Sequence, residues 1–328
     1  MTEHLSAEWL RIRRYWFTWI IFALLLFILT LQVNGKINEL DKLGREIEIG
    51  LADYDGRPLT DLQIEGNRLL MSRIENDFQY PTNIGTIANL ATGSGWFLII
   101  LFTAVFTGED FSRQTLRTVL SRGIGRIQYL LIRCLALWLV AGAAVLVITL
   151  LATILGPLIH LQVTSDPISM VHWGRSLLTA LRSWLTYLPF ITATLFWTVL
   201  ARNAGPAMGL GIVLHTFEIA LGYGVPAMML PFMAVDPNTV ELPFLFKLLE
   251  FMAKVLSITL GYNAEIFLNW GAPYHLNPEF IASLVGVEGQ GILPTSQWRA
   301  TAILAVFILL FLGWALRIIR RRDITYSS

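Results

Sequence analysis

Charge is scarce in this chain. Asp, Glu, Lys and Arg make up 14% of its 328 residues, against roughly 25% in an average soluble domain. That leaves too few charges to coat a soluble protein of this size evenly. The formal net charge of +1 gives no basic excess for a nucleic-acid partner. There is one cysteine, Cys134, so no intrachain disulfide can form. It lies in an apolar run with no activating group near it in sequence, and reads as a small packing residue rather than a nucleophile. Catalytic motifs are also missing. There is no G-x-x-x-x-G-K-[ST] to cradle nucleotide phosphates, no H-E-x-x-H and no G-x-S-x-G, and the five histidines are scattered. The chain therefore reads as a non-enzyme that binds no cofactor itself. No internal repeat or low-complexity linker is visible.

What is abundant is apolar sequence, 55% of the residues, gathered into runs as long as a bilayer is thick. A helix of about 20 apolar residues crosses the hydrocarbon core. Six spans follow, at about 15–32, 93–107, 127–155, 183–201, 203–223 and 300–316. The first is preceded by Arg11, Arg13 and Arg14, but its length and the lack of a small-residue cleavage site make it an anchor rather than a cleaved signal. The stretch Val225 to Leu268 is apolar but is interrupted by Pro231, Pro237 and Pro243, and carries Asp236, Glu241, Lys247, Glu250 and Lys254. Residues 225–298 read as an outer re-entrant or interfacial segment, with a seventh span as the competing reading. The expected fold is an all-α integral membrane protein forming a single transmembrane domain over 1–328.

Loop charges alternate. Arg11, Arg13 and Arg14 precede the first span, and Arg113, Arg117, Arg122, Arg126 and Arg133 follow the second. Arg202 joins spans four and five, and Arg317, Arg320, Arg321 and Arg322 follow the sixth. Residues 35–80 instead hold six basic against ten acidic side chains, and the loop after span five is also acidic. Cytoplasmic loops carry the excess of Lys and Arg, so both termini are expected in the cytoplasm. The outer segment 35–80 reads as two amphipathic helices, with Ile37, Leu40, Leu43 and Ile47 on one face and Leu70, Ile74 and Phe78 on another, broken by the turn chemistry of residues 53–58. It either caps the bundle or serves as a gate or docking element.

The segment after span two holds the densest pattern. Glu109, Thr115, Val119, Leu120, Ser121, Arg122, Arg126 and Arg133 stand in an order that resembles the first cytoplasmic loop of type-2 ABC exporter permeases. Gln114 stands where that family usually has Gly, and Arg133 where it often has Lys. The ending Arg321-Arg322-Asp323-Ile324 looks like the family's usual C-terminus. The resemblance covers the whole chain as architecture and about 25 residues as motif. It implies that 109–126 is a coupling helix docking on a separate ATPase through Glu109, Phe111, Thr115, Leu116, Arg117, Leu120, Ser121, Arg122 and Arg126. ATP and Mg would be bound by that partner, and a second permease copy or a paralogue would complete the complex. The residues alone agree: arginines can face water or anionic lipid while Phe111, Leu116, Val119 and Leu120 offer apolar contacts. An ordinary positively charged loop would explain the arginines but not the ordered pattern.

Within span five, Glu218 is an intramembrane carboxylate, costly unless it faces a cavity or a partner. His215 lies one turn earlier on the same face. The pair reads either as pathway lining or as a satisfied pair near the outer end. Gly205 and Gly209 form a G-x-x-x-G step that allows close helix approach, either within the chain or at the dimer interface where the family places span five. Tyr15, Trp16, Trp19, Trp173, Trp184, Tyr187 and Trp298 near span ends suit the membrane interface. The leading expectation is an export permease in a bacterial plasma membrane. A sensor that transports nothing is the first alternative. A secondary transporter would need more midplane charge and repeated halves.

Overall fold

A computed structural model of the chain describes residues 2–50, 58, 60–112, 115, 116, 121, 123–164, 167, 168, 173–233, 251, 252, 254, 255, 257–268 and 296–321. Nine helices of nine residues or more run through them: α1 (Thr2–Arg14), α2 (Trp16–Ile49), α3 (Asp61–Phe78), α4 (Thr82–Ser112), α5 (Arg126–Val163), α6 (Trp173–Ala201), α7 (Ala204–Met233), α8 (Leu260–Leu268) and α9 (Gln297–Arg321). Among the described residues the protein is all-α. Helices α2, α4, α5, α6 and α9 are each long and apolar enough to cross a membrane, and Ala204–Ala220 of α7 is a shorter apolar stretch.

Apolar side chains remain on the outside of these helices. Phe27, Val213 and Leu309 are all exposed. In water such a surface would drive aggregation, whereas in lipid it costs nothing. Trp16, Trp19 and Trp298 are also exposed, as an interfacial role requires, but Tyr187 is buried and Trp173 packs edge-on against Tyr80 at 5.7 Å.

Two compact units divide the chain. One comprises Ile12–Leu98 and Leu139–Leu185. At its start the chain turns between α1 and α2 at Tyr15, whose backbone is extended. Carbonyls at a helix end lack partners in their own helix. Here Thr18 Oγ1 donates to the Ile12 carbonyl at 2.8 Å and Trp19 Nε1 to that of Arg13 at 3.0 Å. Leu25 and Leu29 of α2 then pack with Ile84, Ile87 and Ala91 of α4 and Ile148 and Ala152 of α5.

The first outer amphipathic helix predicted for this unit is not a separate element. Helix α2 continues through Gly35 to Ile49, roughly 51 Å at helical rise, well beyond a hydrocarbon core of about 30 Å. One glycine costs a helix only about 1 kcal/mol, and Leu40 and Leu43 outweigh it by packing on Ile74 and Phe78 of α3 and Val163 of α5. The helix ends at Gly50 in the left-handed region (φ 70°), where its N–H reaches Glu46 O. The second amphipathic helix is α3, begun by a reciprocal cap between Thr60 and Gln63. Asn67 Nδ2 donates to Glu46 Oε2 at 3.1 Å and ties the two helices together.

Polar pins fix the turn between α3 and α4. The Tyr80 N–H donates to His160 Nδ1 at 3.2 Å, Asn83 Nδ2 to the Gly156 carbonyl at 2.8 Å, and Ser176 Oγ to the Pro81 carbonyl at 2.8 Å. The first two of these bonds hold the far end of α5, which carries Pro157 inside it and continues to Val163 rather than stopping near residue 155.

The other unit comprises Met1–Arg11, Ile99–Trp138 and Thr186–Ser328. Phe196 of α6 meets Phe311 and Trp314 of α9 at 5.6 and 5.8 Å. Helix α6 passes to α7 through the tight connection expected at Arg202. That residue takes φ 54°, and Asn203 Oδ1 accepts from the Gly205 N–H at 3.0 Å. Helix α8 packs against α7 and α9. The unit carries the charged residues considered next.

Candidate functional site: a buried charge cluster

Arg133 sits on the second turn of α5, one turn after Tyr129, on a helix otherwise apolar in this region. Its side chain has no exposed surface. A guanidinium in that position must find anions from elsewhere in the fold, and it finds two. Nη2 pairs with Asp110 at the end of α4, and Nη1 pairs with Glu8 of α1. Its carbon lies over the Phe106 ring at 4.2 Å, where the ring face favours a cation.

Asp110 is the hub. It is 1% exposed and is engaged on both oxygens. Oδ2 faces Arg133 and accepts from the Tyr129 hydroxyl at 2.5 Å. Oδ1 pairs with Arg11 of α1 and accepts from Thr115 Oγ1 at 3.2 Å. The Tyr129 hydroxyl in turn accepts from Arg133 Nη2 at 3.2 Å. Two arginines and two carboxylates balance, so the cluster buries no net charge. It gathers three segments, α1, the end of α4 and the start of α5, and also holds Thr115 of the proposed coupling segment.

The sequence expectations for that segment divide. Phe111 and Leu116 are 5% and 1% exposed, so in this chain they face its own interior rather than offering a free apolar surface. Thr115 is anchored to Asp110, Ser121 is exposed, and Glu109 and Arg126 are part-exposed. Arg117, Leu120 and Arg122 lie outside the described residues. Asp110, Glu8, Tyr129 and Phe106 were not singled out from the sequence. One signal was available: a buried arginine one turn from a tyrosine requires a carboxylate at a neighbouring span end, and Glu109-Asp110 is the acidic pair there.

His215 and Glu218 are not joined to each other. His215 is buried, packs edge-on against Phe190 at 6.2 Å, and leaves Nδ1 without a hydrogen-bond partner among the described residues. Glu218 accepts instead from two backbone N–H groups of α8, those of Leu260 and Gly261.

Among the described residues, no helix of this chain packs closely on the Gly205–Gly209 step. Among these residues, a Cβ on Gly209 would meet nothing within 4 Å, and one on Gly205 only Asn203 Oδ1 at 3.7 Å. Close approach to α4 falls on other glycines. A Cβ on Gly108 would lie 2.5 Å from Ala204 Cα, and one on Gly211 2.5 Å from Ile100 Cγ2. Cys134 is buried, as expected of a packing residue. Among the described residues no group of three or more His, Cys, Asp or Glu is placed to hold a metal.

Compared with known proteins, the chain matches no protein-family model and no curated sequence. The functional reading therefore rests on the residues themselves.

Proposed function

We propose that this chain is the membrane-spanning subunit of an ATP-driven exporter of the type-2 ABC permease kind. It forms the substrate pathway and couples to a separate ATPase. In this reading α7 is the sixth span, both termini are cytoplasmic, and the protein is a multi-pass subunit of a bacterial cell membrane. It works with a second copy or a paralogue, and ATP and Mg belong to the partner.

The observation that carries this reading is the segment from Glu109 to Arg126. Its ordered acidic, Thr, Ser-Arg and Arg pattern is rooted at Thr115 on a buried carboxylate that also ties down α1 and α5. A loop that only balanced lipid charge would need no such root. A segment that transmits force does, because a push on it must move the helices rather than bend the loop. His215 is the candidate pathway residue, with Glu218 one turn on holding α8 beside it, and the Gly205–Gly209 face, on which no described helix packs closely, supports a contact with a second subunit.

Isolation of the chain from its native membrane tests the proposal. An ATPase chain should co-purify, and its hydrolysis should respond to the exported compound. A protein that purifies without an ATPase refutes it. The sensor reading is favoured by one observation, the packing of α2 on α3 through Leu40, Leu43, Ile74 and Phe78, which in this topology would stand outside. A sensor would bind its ligand there with no ATPase present.

A further inference from the structure

Glu218 is the one acidic residue in the apolar stretch Ala204–Ala220, and the backbone of another helix holds it. Oε1 accepts from the Leu260 N–H at 2.9 Å and Oε2 from the Gly261 N–H at 3.1 Å. These are first-turn amides of α8, which have no acceptor within their own helix, and the partial positive charge at a helix start favours a carboxylate. A Cβ at position 261 would stand 2.6 Å from Glu218 Oε2. An added Cβ there would force the end of the Glu218 side chain to shift from its present seat.

The rest of α8 is held differently. Its buried face, including Tyr262, Ala264 and Leu268, belongs to the packing with α9 and α7. The residues leading into it are tied back by Asn263 Nδ2, which donates to the Ser257 and Thr259 carbonyls at 3.0 and 2.7 Å, and by Arg299 of α9, which donates to Ser257 Oγ at 3.4 Å. Among the described residues, the two bonds to Glu218 are the polar link between α7 and α8. A carboxylate in an apolar helix is costly to keep, and a single contact that satisfies both of its oxygens also makes the link two-pronged.

We propose that Glu218 and the N-terminus of α8 form a latch that holds α8 against α7, and that releasing it opens this end of the substrate path. The gating half rests on the pathway reading above, but the latch itself does not. It explains Glu218 as a clasp on a neighbouring helix rather than as a side chain open to a cavity.

Hydrogen–deuterium exchange on the full-length protein in lipid nanodiscs tests it, reading peptides that cover 260–268 against a control from 98–106 of α4. Glu218→Ala should speed exchange in α8 by about tenfold or more, the expected loss of hydrogen bonds to a charged group. Gly261→Ala keeps the charge but pushes the carboxylate away, and should do the same. The double variant should go no further than either single, since both break one contact. The α4 peptide should be unchanged throughout. Unaltered α8 exchange in the single variants, with α4 still protected, would overturn the latch. If Glu218→Ala does not accumulate in the membrane, Glu218→Gln, which keeps the size but leaves a single acceptor oxygen for the two amides, decides alone. Faster exchange with unaltered transport would overturn the gating half.

Discussion

Removing the carboxylate of Asp110 is the most informative single perturbation of this fold. Asp110→Asn keeps the side chain's size but removes its charge. Arg133, with no exposed surface, would then face Glu8 alone, and Arg11 would lose its ion-pair partner. Breaking a buried pair by neutralising one member costs about 3–5 kcal/mol, a large part of a typical stability of roughly 5–15 kcal/mol. Arg133→Met should cost a similar amount, because it leaves Asp110 with only the part-exposed Arg11 and also loses the contact with Phe106. The double variant removes one charge of each sign and leaves Glu8 and Arg11 balanced. It should therefore be at least about 2 kcal/mol less destabilised than the sum of the singles. Unfolding in mixed detergent micelles, followed by the fluorescence of the eleven tryptophans, measures all four corners of the cycle. Additive effects, or single losses below about 1 kcal/mol as for a surface pair, would refute the description of Asp110 as a buried hub.

Two further outcomes follow. Cysteines placed at Asp55 and Asn277 in a Cys134→Ala background should react with an impermeant reagent outside intact cells, and one at Arg117 should not; external labelling at Arg117 would reverse the topology. Gly108→Val should collide with the Ala204 backbone and cost about 1–3 kcal/mol, whereas Gly209→Val, which meets nothing among the described residues, should leave the isolated chain's unfolding unchanged and weaken association of two copies if that face is the subunit contact.

Much of the fold was readable because lipid imposes a simple requirement: long runs without charge must be helices. Five of the six expected spans coincide with helices long and apolar enough to cross. The ends were harder to place. Gly35 and Pro157 look like helix stops, yet Leu40 and Leu43 packing on α3 carries α2 onward, and the α5 end around Pro157 is pinned through Gly156 and His160. Helix α6 likewise begins at Trp173, ahead of Arg175 and Arg182, because long basic side chains near a span end can reach out to the interface.

The cluster was less legible than the spans. Arg133 could be noticed, but its partners Glu8 and Asp110 lie on two other segments, and sequence spacing carries no information about such meetings. Glu218 was conspicuous as a charge in an apolar helix. Its partner was not, because backbone amides of α8 leave no mark in the sequence apart from Gly261.

The central claim is that the segment after α4 seats on an ATPase. The direct measurement is capture of that ATPase by the affinity-tagged chain from detergent-solubilised membranes, corrected for the amount of chain in the membrane. Wild type is compared with a variant altered together at Leu116, Leu120, Arg117 and Arg122, with Leu116→Met as a volume-conserving change because that side chain is buried. The account predicts normal membrane insertion, since Arg113 and Arg126 remain in the loop and the arginines at both ends of the chain are untouched, together with lost capture and lost transport. Undiminished capture and transport by the four-site variant would contradict it.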